Sequence, residues 1–412
     1  MGHIIDPKLA DFCALFKTNS IASLQALHAP AAQYLENAVF PTTREERFKY
    51  TRLQKLLNAS FSPETKLEKE QLQTYAIVED AINIYMNGSL LILPENLPTG
   101  LTIEALNSTS NHFEAEAFKD VFSAMNCLYA NNGCRIVVKA NTTLEKPIQI
   151  IQVHAGAAAF FRHQFVFEKN AEAKVILANF SLKDAVGFSH THSAIQVAQD
   201  ARVQIQKIQA CDAAHFDFNE ERSNQASNSV LEINTYTLSG GLVRNDLAAI
   251  VQGEHAETKL NGAYLLADQQ HVANYTTIDH HVPNCESFET YKGIIDGAAT
   301  AVFNGKVFVR KDAQKTNAFQ SNANVLLSET ASVNSKPELE IYADDVKCSH
   351  GSTTGQLDDQ ALFYLRARGL SEKSAKTLLL QAFMAEVLEV AEPEALSQFI
   401  ISKIQERFAW EN

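Results

Sequence analysis

The 412-residue chain is poor in the residues that break regular structure, with 16 Gly and 10 Pro. That excludes collagen-like and low-complexity readings and long disordered segments. The six cysteines, Cys13, Cys127, Cys134, Cys211, Cys285 and Cys348, form no C-x-x-C pair, which argues against a disulfide framework and against a tetrahedral zinc module; burial statistics make most of them buried thiols. The sequence also contains no G-x-x-x-x-G-K-[ST] phosphate loop, no G-x-G-x-x-G, no G-x-S-x-G and no H-E-x-x-H, so the familiar catalytic signatures are missing and the chain has no nucleotide site of its own. No run approaches the roughly 18 apolar residues of a membrane span, and Met1-Gly2-His3-Ile4-Ile5-Asp6-Pro7 lacks the basic start and apolar stretch of a secretory signal. A cytoplasmic protein with no membrane role is expected.

What is present is a hydrophobic share of 46% and 48 acidic against 35 basic side chains, a formal charge of −13. This is a soluble, globular composition, long enough for two or three packed units, and its acidity argues against a nucleic-acid partner. Roughly fifty Asn and Gln side chains are more amide than an ordinary enzyme needs.

Residues 1–95 read as a helical domain. Pro7 suits a first turn, with Leu9, Phe12, Cys13 and Phe16 at helical spacing; Pro30 and Pro41 punctuate the segment, and Thr43 to Phe48 opens another helix. Ile82 to Leu93 changes to strand. From 96 to 352 the period is close to two, as in Ala201-Arg202-Val203-Gln204-Ile205. A weak repeat runs through this region, an Ala in a turn followed by a short strand, at Ala171, Ala201, Ala226, Ala256, Ala298 and Ala331. Short strands returning without crossover helices suggest a β-solenoid, in which stacked amides form ladders. An antiparallel sandwich is the alternative. Residues 353–412 are helical again: a segment from Asp358 to Gly369, a helix capped by Ser371 with the stripe Ala375, Leu378, Leu379, Ala382, Phe383 and Val387, and a third from Pro393 with Leu396, Phe399, Ile400 and Ile404 on one face. These helices are expected to cover the unpaired end of the solenoid.

Two groups of potential ligands stand out. In Cys348-Ser349-His350 a strand would set the thiol and the imidazole on one face, about 6 to 7 Å apart at Cα, where both reach one metal or cluster. Two donors cannot complete a four-coordinate site, so the rest must come from a partner, sulfide or water. In Asp279-His280-His281-Val282-Pro283-Asn284-Cys285 the adjacent histidines face opposite sides of a strand, and hydrogen-bonded structural roles are favoured. The pair Arg366 and Arg368 reads as a solvated helix face.

The strings Tyr291-Lys292-Gly293-Ile294-Ile295-Asp296-Gly297, Phe303-Asn304-Gly305-Lys306, Ala313-Gln314-Lys315-Thr316, Asp344-Asp345-Val346-Lys347-Cys348-Ser349-His350-Gly351 and Phe363-Tyr364-Leu365-Arg366-Ala367-Arg368-Gly369 resemble the SufB/SufD family of iron–sulfur cluster assembly proteins. The Cys-Ser-His-Gly form is closer to its SufD branch. Pro41 to Thr51, with Phe48 where the family carries Trp, and Ala124-Met125-Asn126 with Gly133 and Pro147 extend the likeness upstream. The resemblance implies a right-handed parallel β-helix flanked by N- and C-terminal α-helical parts. It further implies a non-catalytic scaffold that pairs with a SufB-like paralogue, docks a SufC-like ABC ATPase through its C-terminal helices, and receives sulfur indirectly from a cysteine desulfurase system. The transient iron–sulfur cluster would form at the partner interface, with His350 matching the family histidine there and Cys348 a neighbouring family cysteine. Flavin binding through the complex and homodimer formation stay open. A β-helix enzyme acting on polysaccharide and a purely structural partner of SufB are the competing functions.

Overall fold

The computed structural model describes residues 4–19, 21–88, 90–107 and 118–408. Met1-Gly2-His3 of the N-terminal segment lie outside the described residues. Helices α1 (Pro7–Cys13), α2 (Gln25–Asn37), α3 (Gln54–Leu57) and α4 (Lys69–Gln73) precede strands β1 (Ile82–Asn87), β2 (Leu90–Ile92) and β3 (Leu101–Ala105). After helix α5 (Val121–Tyr129) come β4 (Cys134–Val138), β5 (Ile148–His154), β6 (Ala157–Phe167), β7 (Glu172–Ser181), β8 (Gly187–Val197), β9 (Arg202–Ala210), β10 (His215–Gln225) and β11 (Val230–Ser239). The strands continue as β12 (Leu242–Val251), β13 (Glu257–Leu266), β14 (His271–His280), β15 (Glu286–Ile295), β16 (Thr300–Val309), β17 (Asn317–Leu326), β18 (Ser332–Ile341) and β19 (Lys347–Gly355). Helices α6 (Asp359–Ala367), α7 (Glu372–Leu388) and α8 (Glu394–Phe408) follow.

Odd-numbered strands from β5 onward stack into one parallel sheet and even-numbered ones from β4 into a second, so each coil contributes one strand to each. The result is a β-solenoid of about eight turns over residues 135–355. The corner into the first sheet shows why this sequence coils. Asn141, Asn170, Asp200, Asn228, His255, Asn284 and Lys315 each take a left-handed φ of 56 to 62°, a conformation that Asn and Asp tolerate better than most residues. The next residue is small and buried: Ala171, Ala201, Ser229, Ala256, Cys285 and Thr316 are at most 1% exposed. Each lies beneath the next, the N–H after one donating to the C=O of the one below. The Ala repeat is therefore two interleaved columns, since Ala299 and Ala331 occupy the opposite corner, and Ala226 lies in the turn ahead of Ser229. Amide ladders also form: Asn170 Nδ2 donates to Asn141 Oδ1 at 3.1 Å, Asn228 Nδ2 to Asp200 Oδ1 at 3.0 Å and Asn261 Nδ2 to Asn234 Oδ1 at 2.8 Å. Inside, register aligns Val175, Ile205, Ile233 and Leu260 in one apolar column, each side chain stabilising the stack by about 2 kcal/mol through burial.

Three expectations are corrected. The region from 96 is not strand throughout: α5, capped by Asp120, is buried along its whole length and packs with α1 and α2 on the outer face of the second sheet, Phe122 against Phe218 at 4.8 Å. Near it Pro30 lies inside α2 on an exposed face instead of ending it, and Thr43 to Phe48 holds only a 3-10 turn, Glu46–Phe48. Phe48 is buried with the Arg244 guanidinium over its ring at 4.2 Å.

The α7 stripe is rotated. Ala375, Thr377, Leu380, Met384 and Val387 are buried while Leu378 is 45% exposed, because the helix docks on Ala263, Leu265 and Ile294 of the first sheet. Leu396, Ile400 and Ile404 of α8 are buried as expected. Both helices therefore lie along the flank, and they do not cover the last coil.

Candidate functional site at the open end

The last coil is formed by β18 and β19, each hydrogen-bonded to a neighbour on one side only. Every side chain of β18 is half-buried or exposed, and β19 is exposed except for half-buried Cys348. Lys347 N–H donates to Thr316 O at 2.9 Å, so by strand alternation the N–H groups of Cys348, His350 and Ser352 point to the free side. Their side chains share one face and point to the interior of the coil. Cys348 packs against the core, and Ser352 Oγ bonds Ser335 Oγ of β18 at 2.7 Å across the interior. His350 is exposed only because no further coil stacks above it.

Register places His350 over Gln320, Glu289 and Leu260 in turn. Gln320 Nε2 donates to Glu289 Oε2 at 2.6 Å, and burial pushes the Glu289 carboxyl up to about 7. The column thus changes from apolar to polar as it approaches the open end. Burial likewise raises the Cys348 thiol. This arrangement can present a thiol and an imidazole, with a row of backbone donors, to a second surface. The expectation that the two side chains share a face is met.

The other group resolves into separate structural roles. His280 is buried, its Nε2 2.9 Å from Ser287 Oγ, and burial holds it down to about 4. His281 lies on the opposite face, 3.2 Å from Asp279, which also accepts two 2.8 Å bonds from Arg310. Cys285 is a corner residue whose thiol donates to Gly253 O at 3.3 Å. Arg366 pairs with Glu372 at 3.4 Å and Arg368 lies over Tyr364, both on the solvated α6. A further group, buried His154, Cys211 and His215, could hold a metal ion. Sequence reading missed it because the residues come from three strand ends on two coils, and only stacking joins them.

A family model described as the SUF system FeS cluster assembly, SufBD core domain, matches residues 150–383. The chain belongs to the SufBD family. A second model, the SufBD protein N-terminal region, matches residues 10–150. Iron-sulfur cluster assembly protein SufD of Escherichia coli is 29% identical over 389 residues, covering 92% of each chain. An iron-sulfur cluster assembly SufBD family protein of Synechocystis is 28% identical over 87% of this chain and 85% of its own. SufD of Bacillus subtilis is 24% identical over 69% of this chain and 66% of its own. The protein is thus a SufD-like member of the iron–sulfur cluster assembly family. Among the described residues no helix is long and apolar enough to cross a membrane.

Proposed function

We propose that this chain is a non-catalytic, cytoplasmic scaffold subunit of a SufBCD-type complex. Its open end pairs with the β-helix of a SufB-like partner, and His350, assisted by Cys348, contributes ligands to the iron–sulfur cluster assembled there as cargo. The observation that carries this reading is the uncovered last coil, whose interior face bears both donors. Two donors are half of a four-coordinate set, and a partner surface would supply the remainder.

The C-terminal helices are the docking face for a SufC-like ATPase. Helix α6 has no buried residue, and Phe363 and Tyr364 are 74% and 55% exposed, an apolar patch of the kind that marks a protein contact. Nucleotide chemistry would then reside in that partner, and sulfur would reach the complex from a cysteine desulfurase system.

The test is co-expression with SufB-like and SufC-like partners, followed by measurement of iron and acid-labile sulfide in the purified complex. His350→Ala is expected to lower both at least tenfold, and Cys348→Ala less. Unchanged cluster content in His350→Ala would reduce the chain to a structural partner. Replacing Phe363 and Tyr364 together by Ser is expected to release the ATPase while the SufB-like partner stays bound; retention of the ATPase would remove α6 from that contact.

A further inference from the structure

One corner of the coil gathers soft donors that cluster assembly at the open end does not use. His154 closes β5, Cys211 follows β9 and His215 opens β10, all where the first sheet passes into the second. They are at most 2% exposed, and one ligand atom of each lies within 4.8 Å of the others. The histidines belong to coils two apart, so strand spacing alone would separate them by about 9 to 10 Å. Their rings nevertheless stack with centroids 4.7 Å apart and an interplanar angle of 17°.

Gly187 permits this approach. It lies between Ala157 and His215 in the register of the second sheet, and a Cβ there would come within 2.9 Å of His215 Nδ1. Its φ is outside the left-handed region, so the backbone does not require glycine. The imidazole leaning over it does.

The hydrogen bonds fix the tautomer. Ser189 Oγ donates to Asp217 Oδ1 at 2.8 Å, and its remaining contact, 2.9 Å from His215 Nε2, must therefore be accepted from that nitrogen. The proton is on Nε2, and Nδ1 is left as a lone pair without a hydrogen-bond partner; neither nitrogen of His154 has a partner either, and one of the two is a lone pair in the neutral ring. Unsatisfied buried groups of this kind are destabilising. Asp217 supports the His215 imidazole through the Ser189 hydroxyl, a relayed form of the carboxylate support common behind metal-bound histidines. Burial holds His154 down to about 4 and His215 well below its ordinary value, which keeps both in the neutral, ligating form. Burial and Asp217 raise the Cys211 thiol, so its thiolate forms only against a cation.

We propose that His154, Cys211 and His215 form a buried structural site for one borderline-soft divalent metal ion of the zinc class. Binding forms one sulfur–metal and two nitrogen–metal bonds, takes a water molecule as the fourth donor and releases the Cys211 proton to solvent, and Asp217 supplies compensating charge. Donors around such an ion stand roughly 3.3 to 3.7 Å apart, a contraction of about 1 Å from the widest separation present, and the stacked imidazoles must also rotate so that both ring planes contain the ion.

The full-length chain, purified after growth with added zinc or cobalt, tests this. Elemental analysis is expected to give about one metal per chain, and the cobalt form to show a sulfur-to-cobalt charge-transfer band with the visible bands of a tetrahedral centre. Cys211→Ala and Gly187→Ala are expected to lose at least tenfold in metal content, while Cys348→Ser, which removes the exposed-strand thiol, keeps it. A metal-free wild-type chain, a band that survives Cys211→Ala, or one that disappears in Cys348→Ser overturns the proposal. Should the core variants fail to fold, X-ray absorption of the wild-type zinc form decides: one sulfur with two imidazoles supports the site, and a shell without sulfur refutes it.

Discussion

The two ends of the solenoid start from the same parallel coil and finish in opposite ways. At the first end, β1 is followed by the three-residue β2 and β4 is flanked by the five-residue β3, both antiparallel to their neighbours. The coil above them is closed, with every residue of β5 buried. At the far end β18 and β19, ten and nine residues long, run parallel to the stack and leave a full edge free. Short, reversed edge strands block further pairing, whereas long parallel ones invite it. Lys336 and Pro337 blunt the middle of β18, whereas on β19 only Lys347 at its first position does so, and Gly351, Ser352 and Thr353 follow unguarded. That difference is what supports β19 as the pairing edge proposed above.

The packed body should be the acid-sensitive part. Burial depresses His271 and His280 to about 4 and His163 and His190 to about 3. A histidine whose folded pKa is depressed contributes stability above its unfolded value near 6.5, and this is lost as pH falls toward the folded value, on the order of 2 kcal/mol each by pH 5. Glu220 and Glu289, raised to about 7, act in the opposite sense, their contribution being lost as pH rises. Four histidines against two carboxyls predict a net loss of about 2–4 kcal/mol between pH 7 and pH 5 in guanidinium unfolding. A flat or rising profile would contradict it, and His350→Ala should leave the slope unchanged.

A core position shows the contrast directly. Leu260, fully buried in the column that ends at His350, should cost about 2–5 kcal/mol when changed to Ala. Val333, half-buried on β18, should cost less than about 1.5 kcal/mol. Equal costs measured by urea unfolding would mean that the last coil is as well packed as the middle.

How much of this was legible follows from the same contrast. The period of two, the Ala corners and the amide excess are properties of each coil, so they appear in the sequence as local pattern. The drift in spacing hid that the corners form two columns and that Cys285 is a member of one. Cys348 and His350 were found through motif and strand alternation, because both lie on one strand. That His350 is exposed was not legible, since an interior-facing side chain is buried or open according to what stacks above it. His154, Cys211 and His215 were invisible for a related reason: their proximity is created by the stack and by Gly187. The α7 stripe failed because an apolar helix offers several faces, and the sheet beneath it selected Leu380 and Met384 over Leu378.

If β19 is the pairing edge, removing one outward donor should matter more than removing bulk. Ser352→Pro deletes an N–H that points to the free side and leaves the ladder to β17 intact. Co-purification with the SufB-like partner is expected to weaken by about 100-fold, equivalent to about 2.7 kcal/mol, while the melting temperature of the isolated chain stays within about 2 °C. Undiminished partner binding would move the interface away from β19.

The smallest expected effect concerns His350 itself. It occupies the same column as Leu260, two coils beyond Glu289 and three beyond Leu260 in the direction of the open end, and its side chain points where a core residue would point. Were the stack continued by this chain, the position would hold an apolar side chain, and its loss would cost stability. Because nothing covers it, His350→Ala should change the unfolding free energy by less than about 0.5 kcal/mol. A residue in a core-facing position that contributes nothing to its own fold is free to meet a surface outside the chain. A measured loss comparable to that of Leu260→Ala would show instead that His350 is held by the fold, and the open end would then have to be explained without it.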